Sequence, residues 1–335
     1  MTNKMSPAMS VVLPTPDTFE TIRRTVDALR AQSIADRLEL VIVAPSDDLP
    51  VEQEAVEGFA GVQVVGVGKM TSSNGARVAG IRVARAPIVV LAEDHCFPEP
   101  DWAAALLAAH GEECAAVGPV LRNGNPGTAV SCSNFLAEYG RWVGRLAGEI
   151  EELPGHNSAY RRGLLLRYGD QLEELMATET VIQDALRRSG ERLLLEPAAR
   201  ADHYSFSRFG SSVTLRYHGG RLFAGHRMRR WKWSRRLMYL VGAPLIPFVR
   251  LRRLLGPALH SGTCPVAPWR LIPVLLLLLI VDGFGELVGY LVGPGDAEAV
   301  LASMEFHRER YMTSADRRSF KAASVQRRPA VSQSS

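Results

Sequence analysis

The chain has 335 residues, 47% hydrophobic and 22% charged. That is enough for one large or two small folded domains, and it excludes an intrinsically disordered chain. The net charge of +4 is uneven: Arg and Lys crowd between Arg208 and Arg253, beside the most apolar part of the chain, a pattern that points to a membrane surface and away from nucleic acid. The four cysteines, Cys96, Cys114, Cys132 and Cys264, lack CxxC spacing, so they suggest neither a zinc knuckle nor a disulfide framework and fit a reducing compartment. Residues 1–10 lack the apolar core of a signal peptide.

Met9–Pro14 reads as a short first strand closed by proline. A loop through Asp17 and Thr18 leads into a helix with Phe19, Ile22, Val26 and Leu29 at helical spacing. Leu38–Val43 and Val62–Val67 read as the second and third strands, and Ser72–Val83 as a helix with Ala76, Ala79, Gly80 and Val83 on its packed side. Ile88–Ala92 is an unbroken apolar run, as expected of a strand covered on both faces. Glu93, Asp94 and His95 follow at once, and Pro98 and Pro100 shape the loop beyond. Ligands bind at the carboxyl ends of strands in open α/β sheets. Two carboxylates and an imidazole there can hold a hard divalent cation, and through it a phosphate. A solvated acidic turn is the plainer alternative.

Trp102–His110 reads as a helix, Ala115–Val120 as a strand and Phe135–Leu146 as an amphipathic helix. Pro154–Tyr160 has too few apolar residues for an ordinary core strand. A helix starts at Thr178-Glu179 and is stopped by Gly190. Arg192–Glu196 reads as the last strand, followed by Pro197 and then Ala201-Asp202-His203. The alternation of strands and helices implies a doubly wound, mostly parallel α/β sheet.

Beyond Tyr204 the character changes. Arg208–Arg236 is basic and interleaved with aromatics. Leu237–Val249 is apolar, short and broken by Pro244 and Pro247, which suits an interfacial or re-entrant segment. Leu271–Val292 is long enough to cross a bilayer, but it contains Asp282 and Glu286, and charges in such a segment normally face protein or water. A single span, a hairpin dipping in from the cytosolic side and a buried soluble hairpin all remain open. The polar stretch Arg317–Ser335 reads as a disordered tail.

The segments Val11–Thr15, Asn74–Ile81, Ala86–His95 with Pro98 and Trp102, Gly155–Arg161, Glu179–Gly190 and Glu196–His203, in this order, resemble glycosyltransferase family 2 with the GT-A fold. The resemblance implies a Rossmann-like GT-A domain over residues 1–205. A membrane-associated helical region over 206–312 and a tail over 313–335 would follow. It further implies inverting sugar transfer from a nucleotide-sugar, often a UDP-sugar, with a divalent metal (Mn²⁺ or Mg²⁺). The acceptor would be a glycan or a lipid-linked saccharide at the cytoplasmic side of the inner membrane.

The family's acidic metal motif falls on Glu93-Asp94-His95, with Glu93 and His95 standing where its typical form has aspartates. The resemblance puts the metal on Asp94, His95 and His203, and the donor against Pro14, Thr15, Ser46, Arg77, Glu93 and Asp94. His156, Asn157 and Trp102 fall beside the sugar and acceptor. Glu179, eleven residues before Gly190, matches the catalytic base. One departure is Ala44-Pro45-Ser46, where relatives carry an acid that reads the nucleotide base; Asp47 and Asp48 are the nearest acids. Two rivals stand beside this reading: a non-catalytic GT-A-like nucleotide- or glycan-binding membrane scaffold, and a nucleotidyltransferase. The second needs a basic, Gly-rich phosphate loop that Val11–Thr18 does not have.

Overall fold

The computed structural model describes residues 6–70, 72–111, 114–176, 179–228, 231–260 and 264–325. The side chains of Glu179, His260, Ser319 and 321–325 lie outside that description. Four apolar runs build the parallel half of the sheet. β1 (Met9–Pro14), β2 (Leu38–Ala44), β3 (Gly61–Gly66) and β4 (Ile88–Leu91) lie in the order β3-β2-β1-β4, all in parallel. The helix Ser73–Val83 crosses β1 and β2 closely enough that a Cβ on Gly80 would sit 2.3 Å from Val12 Cγ1. Glycine therefore sets that spacing.

The other half is mixed. β5 (Cys96–Pro98), β6 (Cys114–Asn123), β7 (Gly148–Glu149), β8 (Ala159–Arg161) and β9 (Arg192–His203) complete the order β3-β2-β1-β4-β8-β6-β9-β5, with β7 on β9. β8 runs antiparallel to both β4 and β6, while β9 is parallel to β6. β8 lies within the polar stretch that looked unsuited to the core. Asn157, at φ 61°, turns the chain, and its amide donates to the Leu91 carbonyl at 2.8 Å. Ala159 and Tyr160, one on each face of the sheet, are both buried and suffice as the apolar residues of β8. β9 also outruns its apolar stretch. A register shift between Pro119 and Val120 on β6 lets β9 continue to His203, which pairs with Cys96 of β5.

The helix expected over Phe135–Leu146 lies earlier, at Ala129–Tyr139, because Thr128 caps it by accepting from the Ser131 amide. Against it packs the apolar helix Pro268–Val292, where Leu271, Leu275 and Leu279 cluster with Cys132 and Leu136. The same helix meets Phe209–Met228 through small residues. A Cβ on Gly220 would lie 2.1 Å from the Asp282 carbonyl, and one on Gly285 2.1 Å from the Tyr217 carbonyl, the close backbone approach that glycine permits. Arg250 pairs with both Asp282 and Glu286, so those charges face protein. The expectation of a disordered tail is corrected in part. Ser314–Val325 is helical, and Phe320 lies 5.6 Å from Phe97 and 5.8 Å from Tyr204, ring to ring. That half-buried aromatic packs the segment against the sheet domain, while residues 326–335 lie outside the described residues.

Candidate active site

β4 ends at Leu91, and Glu93, Asp94 and His95 lie in the connection to β5, with a turn at 94–95. The pairing of Cys96 with His203 brings β9 to the same place. Glu93, His95 and His203 are all buried and offer ligand atoms within 4.8 Å of one another. His95 Nε2 and His203 Nε2 are 3.1 Å apart, and Glu93 Oε2 lies 3.7 and 3.9 Å from them. Behind them, His95 Nδ1 is 2.7 Å from Asp94 Oδ1, and His203 Nδ1 is 3.4 Å from Ser205 Oγ. A ring that donates through Nδ1 presents its Nε2 lone pair forward. Glu93 Oε2 is buried with no hydrogen-bond partner among the described residues. Two imidazoles and a carboxylate oxygen, converging and braced from behind, fit a divalent cation.

The electrostatics agree with this geometry. Burial works to raise the Glu93 carboxyl, but His156, His95 and His203 outweigh it and hold it well below its ordinary value. Burial drives His203 well below the ordinary imidazole value, and the neighbouring His95 adds to this. Burial and Arg308 act to lower His95, yet Glu93, Glu305 and Asp94 leave it raised. The surroundings thus favour the carboxylate form of Glu93 and the neutral form of His203 and act the other way on His95.

A cavity of about 360 Å³ opens beside the three residues, lined among others by Arg77, Glu138, His156, Glu305 and Arg308. Arg77 reaches it from the helix Ser73–Val83, whose first turn is capped by Ser72. One Arg77 amino group is 2.7 Å from His156 Nδ1, which is 3.0 Å from Glu93 Oε1. Pro14 lines a smaller recess with Arg77, Glu93, Asp94 and Phe306.

Several expected residues do other work. Asp94 stands behind His95, 2.7 Å from its Nδ1, while Glu93 faces the same space as His95 and His203. Trp102 is 0% exposed in the sheet core and lines neither of these spaces. It opens an Ala- and Leu-rich helix, and its ring packs inward. Thr15 is buried and donates through its hydroxyl to the Thr18 carbonyl at 2.7 Å. Ser46 is exposed and accepts from the Asp48 amide at 3.1 Å, while Asp47 accepts from the Gly66 amide, so the residues after β2 brace their own loop. Asn157 is buried at the turn into β8. Glu179 opens the helix Glu179–Arg188, and its side chain lies outside the described residues. Glu138, Glu298, Glu305 and Arg308 were not anticipated. Glu138 comes from the helix Ala129–Tyr139, between the matched motifs, and Glu298, Glu305 and Arg308 from segments beyond them; nothing in their local pattern marks them.

Residues 10–169 match the family model "Glycosyl transferase family 2". A comparison with curated protein sequences finds no match. Among solved structures, the chain is similar to a mannosyltransferase, PcManGT, from Pyrobaculum calidifontis, solved in complex with GDP-Man and Mn²⁺. The identity is 17% and the TM-score 0.50, over 91% of this chain and 88% of that one. A looser likeness, TM-score 0.44 at 17% identity, covers 62% of this chain and 45% of a structure of GalNAc-T7 with UDP, GalNAc and Mn²⁺. The mixed sheet, the converging residues at the ends of β4 and β9 and the matched segment agree: residues 10–169 are similar to glycosyltransferase family 2, and the chain has a GT-A-like fold.

Proposed function

We propose that the chain transfers a hexose with inversion from a nucleotide-sugar to a saccharide or lipid-linked acceptor at a membrane, with Mn²⁺ or Mg²⁺ held by Glu93, His95 and His203. The observation that carries this is the buried trio with its unsatisfied Glu93 oxygen, set beside a cavity at the carboxyl end of β4. A cation there supplies charge that stabilises a departing diphosphate. Arg77 and His156, in contact with Glu93, add donors to the same phosphates. Glu179, at the first turn of its helix, takes the proton from the acceptor hydroxyl as that oxygen bonds to the anomeric carbon and the diphosphate leaves.

The C-terminal helices support the membrane part. The helix Pro268–Val292 is long and apolar enough to cross a bilayer, with mean hydropathy 2.3 over its best window, of which 39% is buried. Its inward face packs on the catalytic domain, which favours lying in the interface over a free span. Trp269, Leu277, Ile280 and Phe284 are exposed on it, as are Trp233, Met238, Val241 and Phe248 on the preceding helices. Exposed Lys232, Arg235, Arg252, Arg253 and Arg270 accompany them, and cations there suit an anionic leaflet. The free cysteines fit the cytoplasmic side.

The test is calorimetry with UDP, GDP and TDP, with and without Mn²⁺, on wild type and on a Glu93→Ala/His95→Ala/His203→Ala variant. Metal-dependent binding of one nucleotide, lost in the variant, supports the reading and selects the sugar donors to assay. No binding of any nucleotide by the wild type would move the weight to a non-catalytic scaffold.

A further inference from the structure

The chain that follows the apolar helix turns back into the site. The helix Ala297–Phe306 places Leu301, Ala302, Met304 and Glu305 in the cavity wall, and Arg308 lines the same wall. Arg308 is only 7% exposed. Its guanidinium lies 4.1 Å from the Phe206 ring centre, and one amino group donates to the Tyr204 carbonyl. Its Nε is buried and has no hydrogen-bond partner among the described residues. The two contacts that hold it directly are therefore uncharged, Glu305 of the same wall acts on it only through space, and a buried ion without a hydrogen-bonded anion is costly. The cavity presents Glu93, Glu138, Glu298 and Glu305, and among its lining residues Arg77 and Arg308 are the guanidinium groups. A dianionic ligand can enter such a space only against positive charge, and the planar guanidinium fork matches phosphate oxygens.

We propose that Arg308 is a phosphate-binding residue of the transfer site, holding the non-bridging oxygens of the donor's diphosphate together with Arg77. This rests on the nucleotide-sugar reading. It makes donor binding depend on a segment that lies after the apolar helix in the chain. The helices that meet the membrane and the grip on the donor are then mechanically joined.

The experiment uses the full chain in detergent with saturating Mn²⁺, comparing wild type, Arg308→Met and Arg308→Lys. The probes are UDP, GDP, inorganic pyrophosphate, uridine, guanosine and a short-chain isoprenyl phosphate, read by calorimetry. Mn²⁺ binding without nucleotide, read by electron paramagnetic resonance, and thermal melting report the integrity of the site. The expected result is a loss of about 10- to 100-fold in diphosphate and pyrophosphate affinity for Arg308→Met, the range of a charge-assisted hydrogen bond. Arg308→Lys should fall between, with nucleoside and Mn²⁺ binding unchanged. Equal diphosphate binding by all three proteins would overturn the assignment, as would an equal loss for nucleosides and diphosphates. A loss confined to isoprenyl phosphate would overturn it by moving the residue to the acceptor. Wild type that binds pyrophosphate but no nucleoside diphosphate, with the pyrophosphate lost in Arg308→Met, would overturn the nucleotide-sugar reading and leave the phosphate role of Arg308 standing. Should Arg308→Met fail to fold, the Arg308→Lys contrast between pyrophosphate and nucleoside decides.

Discussion

His95 and His203, 108 residues apart in sequence, face each other through their Nε2 atoms at 3.1 Å. Two imidazoles at that distance need either a proton between them or a cation in front of them. Asp94 behind one ring and Ser205 behind the other fix which nitrogen points forward. His203→Ala should abolish tight Mn²⁺ binding measured without nucleotide. Asp94→Asn keeps all three ligands and should weaken metal binding about 10- to 100-fold, the usual cost of losing a partner behind a ligand. Unchanged affinity in Asp94→Asn would show that Asp94 is not what orients His95.

Glu179→Gln separates chemistry from binding. If Glu179 is the base, turnover falls about 100- to 10,000-fold while nucleotide affinity stays the same. An equal fall in both would mean that the carboxylate serves only the start of its helix.

The packing of the apolar helix on Phe209–Met228 is set by glycines that differ sharply in surroundings. A Cβ on Gly285 would meet the Tyr217 carbonyl at 2.1 Å, whereas one on Gly219 meets nothing within 4 Å. Gly285→Ala should cost about 1–3 kcal/mol, the range for overpacking. Gly219→Ala should be neutral or add up to about 1 kcal/mol through helix propensity. Thermal and denaturant unfolding of the two variants gives the comparison directly.

Glu39 anchors the sheet and predicts acid sensitivity. It is fully buried on β2, accepts from Ser10 Oγ at 2.5 Å, Gln63 Nε2 at 2.7 Å and the Arg85 amide at 2.8 Å, and pairs with the Arg85 guanidinium. Burial works to raise its carboxyl, but these donors hold it below the ordinary value. Its stabilisation is complete above the unfolded value, about 4.3, and is lost as pH falls through the lower folded one. Glu39→Gln should cost about 1–3 kcal/mol at pH 7 and flatten the loss of stability on acidification. Denaturant midpoints across pH 3–7 would show an unchanged slope if this reading is wrong.

If the exposed apolar side chains meet a bilayer, Trp233→Ser/Trp269→Ser should weaken binding to phosphatidylglycerol vesicles roughly tenfold or more, since each large side chain contributes about 1.5–3 kcal/mol on burial. Binding should also weaken with added salt. Vesicle sedimentation that leaves the double variant bound as tightly as wild type would remove these faces from the membrane contact.

The strands and most helices of the sheet domain were legible because apolar runs of four to seven residues, punctuated by proline and glycine, carry their own period. β1, β2, β4 and the helix Ser73–Val83 fall within a residue or two of their expected bounds. The sequence alone also determined where the metal-capable cluster would lie, since Glu93, Asp94 and His95 follow directly on a buried strand. Which of them converge was beyond it. Glu93 and His95 are brought together by the turn that follows β4, and His203 joins them only through the β5–β9 pairing and the register shift that carries β9 so far. Trp102, which the resemblance places beside the sugar and acceptor, is buried in the core, because burial depends on what packs above a residue and not on its type. Glu305 and Arg308 were illegible for the same reason: the turn that returns the chain to the cavity is decided by how the apolar helix docks on Ala129–Tyr139 and Phe209–Met228. Local pattern determines elements because its physics is short-ranged; the site belongs to the tertiary structure because side chains from distant segments meet only when those elements pack.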